Sequence, residues 1–286
     1  MTSTVASKVL RFGSFSDTNK RERLNLPLVS IIMPAYNAAN TLASSIDSVL
    51  AQTYLNWQLI VVDDCSSDKT ASIADRYEKM DNRIVFLRTQ TNSGVAKARN
   101  RAIQISEGRF IAFLDSDDIW SPEKLSHQVW FLLENDLPFT YSAYSLFGES
   151  KKDYVFNPPK KLTYNVLLKT NSIGCLTAIY DTKILGKRYM TITLDRQHDY
   201  ALWLSICKDV GELHGIPYPL AKYRVQQASL SSNKLAVSKS HWKVYRFVEG
   251  LNIMRSVYYQ VNYMLKGYFK YKIQKKSSSL LLTDRN

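Results

Sequence analysis

Four apolar runs, each followed by a helical pattern, leave this chain few folds to choose from. "LVSIIM" spans Leu28 to Met33 and is stopped by Pro34. "WQLIVVDD", "RIVFLRT" and the stretch Arg109 to Leu114 follow as second, third and fourth strands. Between the first two, Asn40 or Thr41 caps a helix with apolar Leu42, Ile46, Val49 and Leu50. Ser66 or Ser67 caps the next, which carries Ile73 and Tyr77. "NSGVAKARNRAIQIS" is a third helix with Val95, Ala98, Ala102 and Ile105 on one side, and Pro122 suits the first turn of a fourth. Strands that are apolar nearly throughout are buried on both faces. Alternating with helices, they predict an α/β protein with a mostly parallel sheet flanked by helices. After residue 140 the pattern loosens. "TYSAYSLFG", "IGCLTAIYD" and "PLAKYRVQ" read as further strands, and "HDYALWLSICKDVG" as a helix ending near Gly211.

Ligands of such sheets bind beyond the carboxyl ends of the strands. Three of the four strands end in polar clusters, "PAYN", "DDCSSD" and "DSDD", which the topology would line up along one edge. The last cluster raises a question of charge. Asp115, Asp117 and Asp118 crowd together directly behind "FIAFL", and each carboxylate raises the cost of ionising the next. A cation or a set of hydroxyl donors is expected there.

The net charge of +13 is unevenly spread. From Asn233 onward eleven Lys and Arg face only Glu249 and Asp284, so the first 232 residues carry about +4. The chain therefore divides into a basic, mobile extension (1–26), a main domain (27–232) and a basic aromatic helical tail (233–286). The extension lacks the apolar run of a secretory signal, and no run of 18 apolar residues exists to span a bilayer. Cys65, Cys175 and Cys207 share no metal-ligand spacing and read as free thiols in a reducing compartment. His127, His214 and His241 show no ligand pattern. In residues 241–276, Lys and Arg interleave with aromatic residues. That pattern fits attachment to an anionic membrane surface, or a helix pair packing its rings on the main domain.

The motifs "VSIIMPAYN", "IVVDDCSSDKT", "NSGVAKARN", "FIAFLDSDDIWSPEKL" and "HDYALWL", in that order, resemble the inverting family 2 glycosyltransferases with the GT-A fold. The likeness covers about seven-tenths of the chain, Leu28 to Ser232. It implies a UDP-sugar donor and assigns roles. Asp115, Ser116 and Asp117, with Asp118 adjoining, match the DxD-type motif that binds ribose and diphosphate through a divalent cation, Mn2+ or Mg2+. Such a cation prefers oxygen ligands and takes one or two carboxylates beside phosphate oxygens. Asp63 or Asp64 matches the residue that accepts a hydrogen bond from the base. The alternative for that pair is capping the following helix, a task Ser66 already suits. Pro34 and Tyr36 match the walls of the base site, the Tyr ring stacking. Arg99 matches a basic residue near the nucleotide, while Lys97 and Arg101 read as solvated. Asn92-Ser93-Gly94 opens the helix, so its amide end suits an anion. Asp199 matches the general base of a single inverting displacement. The family usually has Glu where this chain has His198. Lys222 or Arg224 either contacts the diphosphate or is ordinary surface charge.

Two other classes are weighed. A nucleotidyltransferase is expected to carry a Gly-rich, basic loop after the first strand, where this chain reads "PAYNAAN". A nucleic-acid-binding protein is invited by the net charge, yet the main domain is nearly balanced, so no nucleic-acid partner is expected. Processive synthases carry membrane helices and a Q-x-x-R-W segment, and neither occurs here. The expectation is an enzyme adding one sugar to a lipid-linked or oligosaccharide acceptor in bacterial surface-polysaccharide synthesis. It would be cytoplasmic and peripheral on the inner face of the plasma membrane.

Overall fold

The computed structural model describes residues 26–148, 154–225 and 234–266; the expected extension lies outside these except for Leu26. Strands β1 (Val29–Ala35), β2 (Trp57–Asp63), β3 (Ile84–Arg88) and β4 (Phe110–Phe113) are parallel and ordered β3-β2-β1-β4. They are joined through α1 (Leu42–Leu50), α2 (Thr70–Met80) and α3 (Val95–Ile105). Alternate residues of these strands face two apolar layers. Ile32, Ile60, Val62, Ile111 and Phe113 meet α3 on one face. Val29, Ile31, Met33, Leu59, Val61 and Phe110 meet α1 and α2 on the other. The helical stripes expected from sequence supply the partners, Leu42, Ile46 and Val49 from α1 and Ala98 and Ala102 from α3.

The rest of the chain extends the sheet in mixed sense. In order come β5 (Ile119–Trp120), α4 (Lys124–Glu134), β6 (Phe139–Phe147), β7 (Tyr154–Phe156), β8 (Lys161–Thr163) and α5 (Tyr164–Leu168). Then follow β9 (Ile179–Asp181), α6 (Thr182–Leu185), α7 (His198–Val210) and β10 (Glu212–Arg224). The main path of the sheet is β3-β2-β1-β4-β9-β6-β10-β5, with β7 paired to β6 and β8 to β10. β9 is antiparallel to both β4 and β6, whereas β10 is parallel to β6. α4 covers the layer of α1, and α7 the layer of α3, where Trp203 packs its ring on Phe113 and Phe139.

Several local expectations are corrected. β1 does not stop at Pro34 but runs to Ala35. Leu28 and Ile32 accept from Phe110 and Leu114 of the β4 side. Next on that side is Pro34, which has no N–H to give. The ladder ends there, and β4 is released into the Asp115–Asp118 turn. Neither Ser66 nor Ser67 caps α2: its N-cap position is Lys69, and Asp68 just before it accepts from Thr70 N through Oδ1 at 2.9 Å. "IGCLTAIYD" is strand only at its end. The Thr177 hydroxyl takes the Gly174 carbonyl at 2.7 Å and holds Cys175–Thr177 in a 3-10 turn. β10 begins earlier than expected, because register shifts around Pro219 let a Pro-containing segment stay in the sheet.

The tail joins the main core in its first part. α8 (Lys234–Lys243) leads into a π-helical turn, Val244–Val248, and Val244 and Tyr245 are buried in the layer of α7. Tyr245 Oη donates to Leu168 O at 2.7 Å. A final helix, α9 (253–266), lays Tyr263 over the buried His241 ring at 3.7 Å. Packing on the main domain thus accounts for Tyr245 and Tyr259, while Tyr263 packs within the tail on His241; Tyr268, Phe269 and Tyr271 lie outside the described residues. No helix among the described residues is long and apolar enough to cross a membrane.

Candidate active site

The carboxyl ends of β1, β2 and β4 are neighbours, so the three polar clusters do meet. Their loops are stitched together. Asn37 N donates to Ser66 Oγ at 2.8 Å, Asn37 Oδ1 accepts from Ser67 N at 3.0 Å, and Ala38 N donates to Thr70 Oγ1 at 2.7 Å. Asn37, Cys65 and Gln197 adopt positive φ, which non-glycine residues seldom do. They stand at the ends of β1 and β2 and directly before α7. Pro34 is buried at the end of β1, and the Tyr36 ring beyond it is 53% exposed.

Asp63 and Asp64 are both buried and both engaged. Asp63 accepts from the Ser66 hydroxyl and amide and pairs with Arg88 Nε at 3.2 Å. Asp64 accepts from Ser93 N and Oγ, each at 2.9 Å, from Gly94 N at 2.6 Å and from Thr89 Oγ1 at 3.1 Å. The amide end of α3 therefore does face an anion, and that anion is Asp64. Gly94, with φ of 91°, makes the turn that aims its amide.

Two arginines reach the "DSDD" turn. Arg99, buried on α3, hydrogen-bonds Asp115 Oδ1 and packs its Nη1 3.8 Å from Met190 Sδ. Arg224 donates its backbone N to Asp118 Oδ1 at 2.9 Å and its Nε to Asp117 O at 2.8 Å, binding the turn to β10. Ser116 is buried in the turn. In this arrangement Asp115 turns to Arg99 and Asp118 to the Arg224 amide. Among the described residues no three His, Cys, Asp or Glu converge to hold a metal. Lys97 and Arg101 are exposed, as expected.

Asp199 lies in the first turn of α7, within reach of the Arg99 charge. Burial raises its pKa, and the Arg99 charge opposes that rise. Burial works against the Arg99 charge too, but Asp115 and Asp199 more than restore it. One buried guanidinium thus serves two carboxylates from different elements. His198 Nδ1 lies 2.9 Å from the Thr191 carbonyl, which only accepts, so Nδ1 carries the proton. Asn100 braces the same loop, donating to Met190 O at 2.8 Å and accepting from Met190 N at 2.7 Å.

Four carboxylates face two guanidiniums here, which leaves negative charge over. Burial, with Asp115 adding, pushes Asp117 up to about 6. Burial and the neighbouring Asp117 raise Asp118 further, and its Oδ2 is buried without a partner. This oxygen-only, under-neutralised set fits a hard divalent cation, which needs one or two carboxylates when ligand oxygens complete its shell. A consequence is testable without substrate. Because the folded pKa of Asp117 lies above its unfolded value, its contribution to stability is full below pH 4 and lost as pH rises through about 6. Asp117→Asn is therefore expected to stabilise the cation-free protein at pH 7, by about 3 kcal/mol at most. Thermal melting in chelator measures this; a lower midpoint for the variant would contradict it.

Sequence reasoning missed three participants. Met190 lies in a loop with no periodicity. Cys175 lies in what reads as a strand, yet is buried with the Arg99 and Asp115 charges around it. Arg88 reads as the polar end of β3 but pairs with Asp63. No local pattern marks them.

A parallel half-sheet flanked by helices, with polar clusters beyond its strand ends, is the α/β arrangement of the GT-A glycosyltransferases. The model of Glycosyl transferase family 2 matches residues 30–184, more than half of the chain, and the chain belongs to that family. It is 44% identical over 253 residues to WfgD of Escherichia coli, a UDP-Glc:alpha-D-GlcNAc-diphosphoundecaprenol beta-1,3-glucosyltransferase; the match covers 87% of this chain and 97% of WfgD. It is 41% identical over 239 residues to the glycosyltransferase TuaG of Bacillus subtilis, named for teichuronic acid biosynthesis, covering 83% and 94%. Among solved structures, TarS of S. aureus in complex with UDP-GlcNAc shares the fold with a TM-score of 0.65. That match is 20% identical and covers 82% of this chain and 71% of the TarS chain.

Proposed function

We propose that this glycosyltransferase moves one sugar from a UDP-sugar to a hydroxyl of a lipid-linked glycan in bacterial surface-polysaccharide synthesis, with inversion at the anomeric carbon. The observation that carries the reading is Arg99, hydrogen-bonded to Asp115 of the acidic turn and near enough to Asp199 at the start of α7 for their charges to act on each other. The names of WfgD and TuaG support the acceptor class and the pathway type, and the TarS complex supports a uridine nucleotide.

Asp199 takes the proton of the acceptor hydroxyl as that oxygen attacks the anomeric carbon; the bond to the diphosphate oxygen breaks and UDP departs. Burial brings the Asp199 pKa closer to the working pH, which suits a general base, and Arg99 keeps it ionised between turnovers. His198, fixed to Thr191, holds the start of α7 in place. On the donor side Tyr36 offers an open ring to the base, with Pro34 behind it. Of the acidic pair we assign base recognition to Asp64, which lies one residue beyond β2. Asp115 and Asp117, with Ser116 between them, would hold the divalent cation. When bound, that ion neutralises the charge gained by the diphosphate.

Incubation of the purified protein with UDP-sugars and a diphosphate-lipid acceptor tests this directly. Chelator is expected to abolish transfer, Mn2+ or Mg2+ to restore it, and the nucleotide product to be UDP. Full activity in excess chelator would remove the cation from the account, and release of pyrophosphate would move the enzyme to another class.

A further inference from the structure

α9 is oriented against the usual rule for a surface helix. Its inward side carries Ser256, Tyr259, Gln260 and Tyr263; Gln260 Nε2 donates to Ser238 Oγ at 2.6 Å, and Tyr259 Oη to Asn165 Oδ1 at 3.1 Å. Its outward side carries Ile253, Met254, Val257, Val261, Met264 and Leu265, all exposed, with Met254 at 84%. At 100° per residue these six and Tyr258 share one arc of about 140°. Arg255 and Lys266, both exposed, fall beside that arc, between it and the packed side. Phe247, 80% exposed on the preceding turn, adds a further apolar group. An amphipathic helix that turns its polar face to its own domain and its apolar face outward has a second apolar phase to meet.

We propose that this face of α9 docks into an anionic lipid bilayer, lying in the interface plane. Charge decides for lipid over another protein surface. The segment from Asn233 carries eleven Lys and Arg against two acidic residues, and basic residues flanking an apolar stripe match anionic headgroups. Continuity with the active site points the same way. α8 lies between α9 and the loop before the base: Ser240 Oγ donates to Arg196 O at 3.0 Å and Lys243 Nζ pairs with Asp195 Oδ2 at 2.6 Å. Two residues beyond Arg196, α7 starts at His198, next to Asp199. Docking of α9 therefore presents the acceptor side of the site to the membrane. The inference rests on the lipid-linked acceptor only for its purpose, not for the binding itself.

Flotation of the full chain on phosphatidylglycerol–phosphatidylethanolamine vesicles tests it, with phosphatidylcholine vesicles as the neutral control. The Met254→Asp/Val261→Asp double variant changes only exposed positions. It is expected to lower binding to the anionic vesicles at least tenfold, with its melting midpoint and its transfer to a water-soluble short-chain acceptor unchanged. Transfer to acceptor embedded in the same vesicles falls with binding. Unchanged flotation of the variant would overturn the proposal. So would a wild-type chain that ignores vesicles and is a dimer by light scattering, with the variant monomeric, since the face would then be covered by a second copy. If the functional reading fails instead, soluble transfer is absent from both proteins while flotation still separates them.

Discussion

Asp199→Asn is expected to lower the transfer rate by about 10²–10⁴-fold, the range lost when a general base is removed. Binding of UDP should be intact. The substitution keeps shape and removes only the site that takes the acceptor proton. It also removes one of the two carboxylates that Arg99 serves, but Arg99 retains Asp115, with which it is directly hydrogen-bonded. Folding should survive for that reason. The discriminating readout is the split between binding and turnover. If calorimetry showed UDP affinity falling in step with rate, Asp199 would be a donor ligand and the base would have to be sought elsewhere.

The largest expected effect on stability is at Arg99. Arg99→Met keeps the length and the apolar stem but leaves Asp115 and Asp199 without their shared counter-charge. Breaking a buried ion pair from one side costs about 3–5 kcal/mol, a fall of roughly 10 °C in melting midpoint for a domain of this size. The loss has a pH signature. Burial already raises the Asp199 pKa, so as pH falls and this stranded carboxylate protonates, the deficit against wild type should shrink, because a neutral acid needs no guanidinium. A deficit that stayed constant with pH would mean that Arg99 contributes packing against Met190 rather than charge. Transfer should also be lost in the variant at temperatures where it remains folded.

The parallel half of the sheet was legible because each strand is short, apolar on both faces and closed by polar residues, and because α1 and α3 keep one apolar stripe each. The convergence of three clusters followed from topology alone. What stayed hidden depends on contacts far apart in sequence. Arg99 was singled out only by likeness to a family, and nothing local says that it bonds Asp115 and also feels the Asp199 charge. Asp64 reads as a free ligand, yet three of its donors come from Ser93 and Gly94, about thirty residues on. The early start of β10 was hidden by Pro217 and Pro219, which argue against a strand until register shifts admit them. In the tail, composition could show basic and aromatic character but not which rings turn inward. Tyr245 and Tyr263 went to the core and to His241, and the outward face of α9 is mostly aliphatic, with Tyr258 at its edge.

A single displacement with one base makes a claim about stereochemistry that no retained intermediate can imitate. Transfer from a UDP-α-linked sugar, followed by NMR of the anomeric proton in the isolated product, reads the outcome without regard to which sugar or acceptor is used. The account predicts a β-linkage. An α-linkage would contradict it, because retention requires a second displacement or a different site for attack, and Asp199 could not then act as the sole base.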